Sequence, residues 1–313
     1  MRVSSVRGAR ALAGVTTALT LAWCTSAGAG ADPMADGRRA APPAAIPVVA
    51  STDVYGDIVE RIGADRVDVV SIISDPAQDP HSYEASTRTQ LELSKAKVVV
   101  ENGGGYDDFI DRMLRSSDNS SADVINAVDV SGKAAPAGGQ LNEHVWYDLP
   151  TMGRLADRIA AALARVEPAG TGTFRENAEE FRDELTDLRT RTDRIKAEHA
   201  GTPVAVTEPV PLYLTEACGL VNRTPAAFSE AVEEGDEVSP RTLRETIALF
   251  TGGKVEALVY NGQTAGPQTE KVKKAAEDHR IPVVSVTETL PAGQDYIGWM
   301  TANVDALQGA LSR

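Results

Sequence analysis

Only four histidines occur in 313 residues, and two of them stand in settings suited to holding a metal ion. His81 lies in Asp79-Pro80-His81-Ser82-Tyr83-Glu84, and His144 lies in Asn142-Glu143-His144-Val145-Trp146-Tyr147-Asp148. Both stretches follow expected strands, in the loops that gather at the mouth of an α/β sheet, where a neutral imidazole is a good ligand for a divalent transition metal. The other two, His199 and His279, precede the strands expected at Pro203 and Ile281. They fall at helix C-termini, where a cationic side chain is favoured, and are expected to be exposed caps.

Carboxylates to complete the set are sought at the carboxyl ends of strands, because open α/β sheets bind ligands there. Pro203-Val204-Ala205-Val206-Thr207 runs into Glu208, and Ile281-Pro282-Val283-Val284-Ser285-Val286-Thr287 runs into Glu288. His81 and His144 from one half and Glu208 and Glu288 from the other give two imidazoles and two carboxylates, a set suited to a first-row divalent ion. Glu84, Asp148 and Gln263 are candidates for hydrogen-bonding these ligands from behind. No catalytic residue is assigned.

The elements that must carry these residues are legible as an alternation. Val48-Val49-Ala50 precedes a helix around Ile58, Val67 to Ile73 precedes a helix with a capping box at Thr87 and Gln90, and Val98-Val99-Val100 precedes a helix near Ile110. Strands at 203–207, 255–260 and 281–287 repeat the pattern, with helices near Tyr213, over 243–250, 269–278 and 296–311. Such βα alternation means parallel sheets covered by helices. Between the halves, Phe174, Ala178, Phe181, Leu185, Leu188, Thr192 and Ile195 recur at 4-3-4-3 spacing, the stripe of one long amphipathic helix. Thr173 and Glu176 read as its capping box, and Asp187 and Arg191 as an i, i+4 pair. The expected fold is therefore α/β: two βα lobes with parallel sheets, 46–170 and 201–313, joined by a long rigid helix over 171–200, with the metal in the cleft between them.

The first 31 residues read as an export signal: Arg2, Arg7 and Arg10 precede an uncharged run from Ala11 to Trp23 and a small-residue stretch to Ala31. Leu21-Ala22-Trp23-Cys24 resembles a lipoprotein box, so the mature chain is either anchored at Cys24 or released by cleavage near Ala29 or Ala31. Residues 32–45 form an alanine- and proline-rich leader. After export only Cys218, a small buried residue on the helix after Glu208, is sure to remain, and packing must supply the stability. The formal charge of −14 falls by three, to −17, when the three arginines leave with the signal. That charge excludes nucleic acid as a natural partner and is the ordinary acidity of a soluble protein. A monomer is expected.

From about Ile46 onward the chain closely resembles the metal-binding solute receptors of bacterial ABC importers for zinc and manganese. The resemblance is carried by Asp79-Pro80-His81-Ser82-Tyr83-Glu84, the turn Asn102-Gly103-Gly104-Gly105, and Glu143-His144-Val145-Trp146-Tyr147-Asp148, in that order. It implies His81 and His144 as metal ligands, with Glu208 in Thr207-Glu208-Pro209 third and Glu288 in Thr287-Glu288-Thr289-Leu290-Pro291 fourth. The fourth position usually holds aspartate, one methylene shorter. Zinc-specialised members often carry a histidine-rich loop corresponding to Ser116–Gln140, which has no histidine here. The implied cargo is one Zn2+ or Mn2+, and the implied partner is a membrane permease of the ABC transporter. The rival reading, a secreted metal-dependent hydrolase, needs an open coordination position and a general base. The sequence has no HExxH and no GxSxG.

Overall fold

The computed structural model describes residues 44–75, 83, 86–137 and 139–312. In the first lobe β1 (Ile46–Thr52), α1 (Asp53–Gly63), β2 (Val67–Ile73), α2 (Thr87–Lys95), β3 (Val98–Glu101), α3 (Phe109–Ser116), β4 (Asp123–Asn126) and α4 (Ala127–Ser131) follow one another. After α5 (Leu149–Val166) and α6 (Thr171–His199), the second lobe runs β5 (Pro203–Val206), α7 (Leu212–Ala217), β6 (Val221–Asn222), α8 (Ala226–Glu233), α9 (Pro240–Thr251), β7 (Ala257–Asn261), α10 (Pro267–Asp278), β8 (Val283–Val286) and α11 (Tyr296–Leu311). The two sheets have the orders β2-β1-β3-β4 and β6-β5-β7-β8, and every pairing is parallel. The lobes thus share one topology, each with its switch point between its first and third strands, where a crevice opens.

Each sheet is buried on both faces, and the side chains alternate between two cores with the strand period of two. Val48, Ala50, Val98 and Val100 point to a central core, while Val49 and Val99 point to a satellite under α2 and α3. In the second lobe Val204, Val206, Ala257 and Val259 join the same central core, and Ala205, Leu258 and Tyr260 turn to a separate outer one. One continuous core therefore lies beneath both lobes, flanked by a satellite in each.

Helix α6 is the spine of that shared core. Its 29 residues reach about 43 Å at 1.5 Å per residue, and all seven residues of the apolar stripe are buried. Burying a Phe or Leu side chain contributes ~1.5–3 kcal/mol, whereas an exposed ion pair contributes ~0–1 kcal/mol. Phe174, Phe181, Leu185 and Leu188 therefore outweigh the surface pairs in tying the lobes to the rod.

Three local expectations are corrected. Helix α2 is capped by Ser86, whose hydroxyl accepts from the Thr89 N–H, one residue before the expected Thr87–Gln90 box. Helix α6 starts at Thr171, leaving Thr173 and Glu176 inside the helix, where they cannot cap it. Arg191 pairs with Asp305 of α11 instead of Asp187, because the packed neighbour presents a carboxylate at closer range than the same helix does. No helix among the described residues is long and apolar enough to cross a membrane.

Candidate metal centre

The second-lobe side of the cleft follows from strand order. Glu208 lies just beyond β5 and Glu288 just beyond β8, with β7 between them. Neighbouring strands are ~4.8 Å apart, so the two carboxylates leave the sheet about 10 Å apart at the backbone and must lean inward to meet. Asn261, the last residue of β7, stands midway: its Nδ2 donates to Glu208 Oε2 at 2.5 Å and to Glu288 Oε1 at 2.8 Å. Its Oδ1 accepts from the Gln263 N–H at 3.1 Å, which fixes the amide's orientation. Thr264 donates a further hydrogen bond to Glu208 Oε2 at 2.6 Å. Both carboxylates are about 1% exposed. Two buried carboxylates sharing one amide is a costly arrangement that a divalent cation would relieve.

On the first-lobe side His144 is fully buried and sits at the N-terminus of a 3-10 turn, Val145–Tyr147. It does not follow a strand directly, as the sequence suggests: α4 and an irregular stretch intervene after β4. The turn is built on the glycines of Asn102-Gly103-Gly104-Gly105, whose φ angles of 78°, 72° and 106° lie in the left-handed region. A Cβ on Gly104 would come within 3.1 Å of the Glu143 Cβ, so glycine there lets the histidine loop pack down. Asn102 Nδ2 donates to the Glu143 carbonyl at 3.0 Å, and Asp107 holds the Asn102 and Gly103 N–H groups.

The tautomer of His144 is set from behind. Asn142 Nδ2 donates to the Pro209 carbonyl, so Asn142 Oδ1 faces His144 Nδ1 at 2.7 Å and must accept from it. Nε2 then carries the lone pair, as ligation requires. It lies 3.5 Å from Glu233 Oε1 and 3.9 Å from Glu288 Oε2. In the neutral ring this nitrogen therefore faces carboxylate oxygens, an arrangement that favours a cation nearby. Tyr106 and Trp146 pack edge-on against the imidazole, at ring separations of 6.1 and 5.0 Å. Burial and then the Glu288 charge push the Tyr106 phenol well above its ordinary range, so it stays a neutral donor toward that carboxylate.

Four hydrogen bonds hold the Glu288 loop against the first lobe. Tyr147 donates to the Thr287 carbonyl at 2.7 Å, Tyr296 donates to the Trp146 carbonyl at 2.7 Å, and the N–H groups of Leu290 and Tyr296 donate to Asp53 and Asp57 of α1 at 3.1 and 2.9 Å. His144 and Glu288 are thereby fixed relative to each other although they belong to different lobes.

A sequence profile for the family described as ZnuA, zinc-uptake complex component A, periplasmic, matches residues 48–310. The chain belongs to this family. The manganese ABC transporter substrate-binding lipoprotein PsaA of Streptococcus mitis is 24% identical over 285 residues, covering 85% of this chain and 89% of its own. The manganese-binding lipoprotein MntA of Bacillus subtilis is 31% identical over 179 residues, covering 55% of this chain and 54% of its own. The solved periplasmic zinc-binding protein TroA of Treponema pallidum superposes with a TM-score of 0.73 at 19% identity, covering 86% of this chain and all of its own. The ZnuA family comprises solute-binding proteins, not enzymes.

Against the residues expected from sequence, His144 faces Glu288, Glu208 joins Glu288 through the Asn261 amide, and His81 and Glu84 lie outside the described residues. Gln263 sits directly behind Glu288: its Oε1 accepts from the Glu288 and Thr289 N–H groups. Asp148 is drawn elsewhere, capping α5 through the Thr151 N–H and pairing with Lys133 at 3.2 Å. His279 caps α10 with its ring Nδ1 2.9 Å from the Ala275 carbonyl, and His199 closes α6. Sequence reading missed Asn261, Tyr106 and Glu233. Asn261 had a usable signal, standing at the end of the strand between those of Glu208 and Glu288. Glu233 had none beyond a run of acidic residues, which ordinarily marks a solvated surface.

Proposed function

We propose that this protein is the extracytoplasmic solute-binding component of an ABC importer, which captures one Zn2+ or Mn2+ in the cleft and delivers it to the membrane permease. In this reading His81, His144, Glu208 and Glu288 are the ligands. The observation that carries it is that His144 Nε2 faces Glu288, one of two buried carboxylates held together by a single amide. Four protein ligands surround a cargo ion and leave little room for a substrate, as binding without turnover requires.

The donor set favours neither ion by charge alone, and imidazole–carboxylate sites bind zinc more strongly than manganese unless geometry opposes it. Two named relatives are lipoproteins. We therefore favour anchoring at Cys24 over release near Ala29 or Ala31, and fractionation of the producing cells with mass measurement of the mature N-terminus decides between them. The functional test is to purify the mature protein from rich medium, determine its metal content by mass spectrometry, and titrate Zn2+ against Mn2+ by calorimetry. One ion per chain is expected. Protein that neither retains nor binds a divalent metal would overturn the reading.

A further inference from the structure

A third carboxylate reaches the same imidazole from a different direction. Glu233 ends α8, and its Oε1 lies 3.5 Å from His144 Nε2, closer than the 3.9 Å of Glu288 Oε2. One ligand atom each from Glu143, His144 and Glu233 lie within 4.8 Å of one another. Unlike the two fully buried carboxylates, Glu233 keeps 16% of its side chain exposed. It borders a cavity of about 410 Å³ shared with Asn142, Glu143, Asn222 and Glu230, and a second of about 530 Å³ shared with Asp236, Gln263 and Thr264. Glu233 thus stands between open cavities and the buried donors. The carbonyl end of α8 adds partial negative charge at the same point, which favours a cation.

A divalent ion arrives hydrated, and exchanging all of its water for buried ligands in a single step is strongly unfavourable. A carboxylate able to touch both the cavity and His144 divides that step in two. We propose that Glu233, with Glu143 beside it, is a transfer ligand: it takes a hydrated divalent cation from the cavity, passes it to His144 and the deeper carboxylates, and takes it back on release. This rests on the metal-binding function proposed above and adds a route to it.

The route has a kinetic signature distinct from that of a resident ligand. A group used only along the path speeds arrival and departure equally and leaves affinity nearly unchanged. The test compares mature wild type, Glu233→Gln and Glu143→Gln, each verified as folded by circular dichroism. Zn2+ association is followed in stopped flow by the fluorescence of Trp146, whose ring is 5.0 Å from that of His144, and dissociation by a chase with excess chelator. Glu233→Gln should slow both rates by a similar factor, about tenfold, and Glu143→Gln by a smaller one, with one ion still bound and Kd altered less than about threefold. Unchanged rates would overturn the proposal. So would faster dissociation with a matching loss of affinity, which would make Glu233 a resident ligand, or slower association alone, which would reduce it to a source of field. If wild type itself binds no Zn2+, the functional reading fails instead.

Discussion

Glu208 and Glu288 stand two residues beyond the ends of β5 and β8, whereas His144 stands on an irregular loop well beyond β4. The second lobe places its donors by strand geometry and trims them with one amide, that of Asn261. The first lobe places its donor by turn packing: three glycines, Asn102, Asn142 and two aromatic rings fix a ring that no strand carries. A carboxylate on a strand end can adjust through its own rotamers and share charge with a neighbour. A buried imidazole with a fixed tautomer has one atom to offer and cannot be replaced by anything near it.

This contrast ranks the expected losses. His144→Ala should weaken metal binding by orders of magnitude while the fold survives, because the ring lies in a loop; calorimetry measures the first and circular dichroism the second. His199→Ala and His279→Ala, on helix ends away from the cleft, should leave affinity unchanged. Near-normal affinity in His144→Ala would move the centre away from the first-lobe turn altogether.

Asn261→Leu tests whether the amide makes the second-lobe pair a unit. Replacing a group that hydrogen-bonds metal ligands typically costs 10–100-fold in affinity, and that range is expected here. The metal-free protein should also lose thermal stability, since two buried carboxylates lose their common donor. An effect on only one ion's binding, with no change in the metal-free melting temperature, would argue against a shared structural role.

Glu288→Asp probes the rotamer tolerance attributed to strand-end carboxylates. Binding should persist within about tenfold, with altered preference between Zn2+ and Mn2+, whereas Glu288→Ala should lose much more. Equal affinity in wild type and Glu288→Ala, measured for both ions, would place the fourth ligand elsewhere.

The smallest effect concerns the contact between lobes. Burial pushes the Asp53 carboxyl up to about 6, although the Leu290 N–H bond opposes the shift. In the unfolded chain it titrates near ~3.9, so between these values the folded state holds the proton more tightly, and stability falls as pH rises from about 4 to about 6. The substitution Asp53→Asn would keep an acceptor for the Leu290 N–H without the charge. That variant should exceed wild type by about 1 kcal/mol above pH 6, after allowance for the partial exposure of the site, and match it below about pH 4. Urea titrations of the metal-free proteins across that range would refute this if the difference were independent of pH.

Three strands of each sheet, most of their helices and α6 were legible in the sequence alone, because periodicity is a local property, whereas β4, β6, α4, α5 and α8 emerged only in the structure. Strand alternation and the 4-3-4-3 stripe of α6 depend only on which residues face a core, and all seven stripe residues are buried. The sequence also placed Glu208 and Glu288 at strand ends, since chain direction and strand length locate the mouth of a parallel sheet. Capping and ion pairing were less legible: Ser86 over Thr87, and Asp305 over Asp187, were decided by where each element actually starts and by which neighbour packs against it. What only the tertiary structure decided was who stands between and behind the ligands. Asn261 bridges two carboxylates because strand order puts β7 between β5 and β8, and Glu233 approaches His144 because packing brings the end of α8 to the His144 loop. Neither follows from local sequence, because each is a contact across many residues of chain, fixed by the packing of whole elements around a shared core.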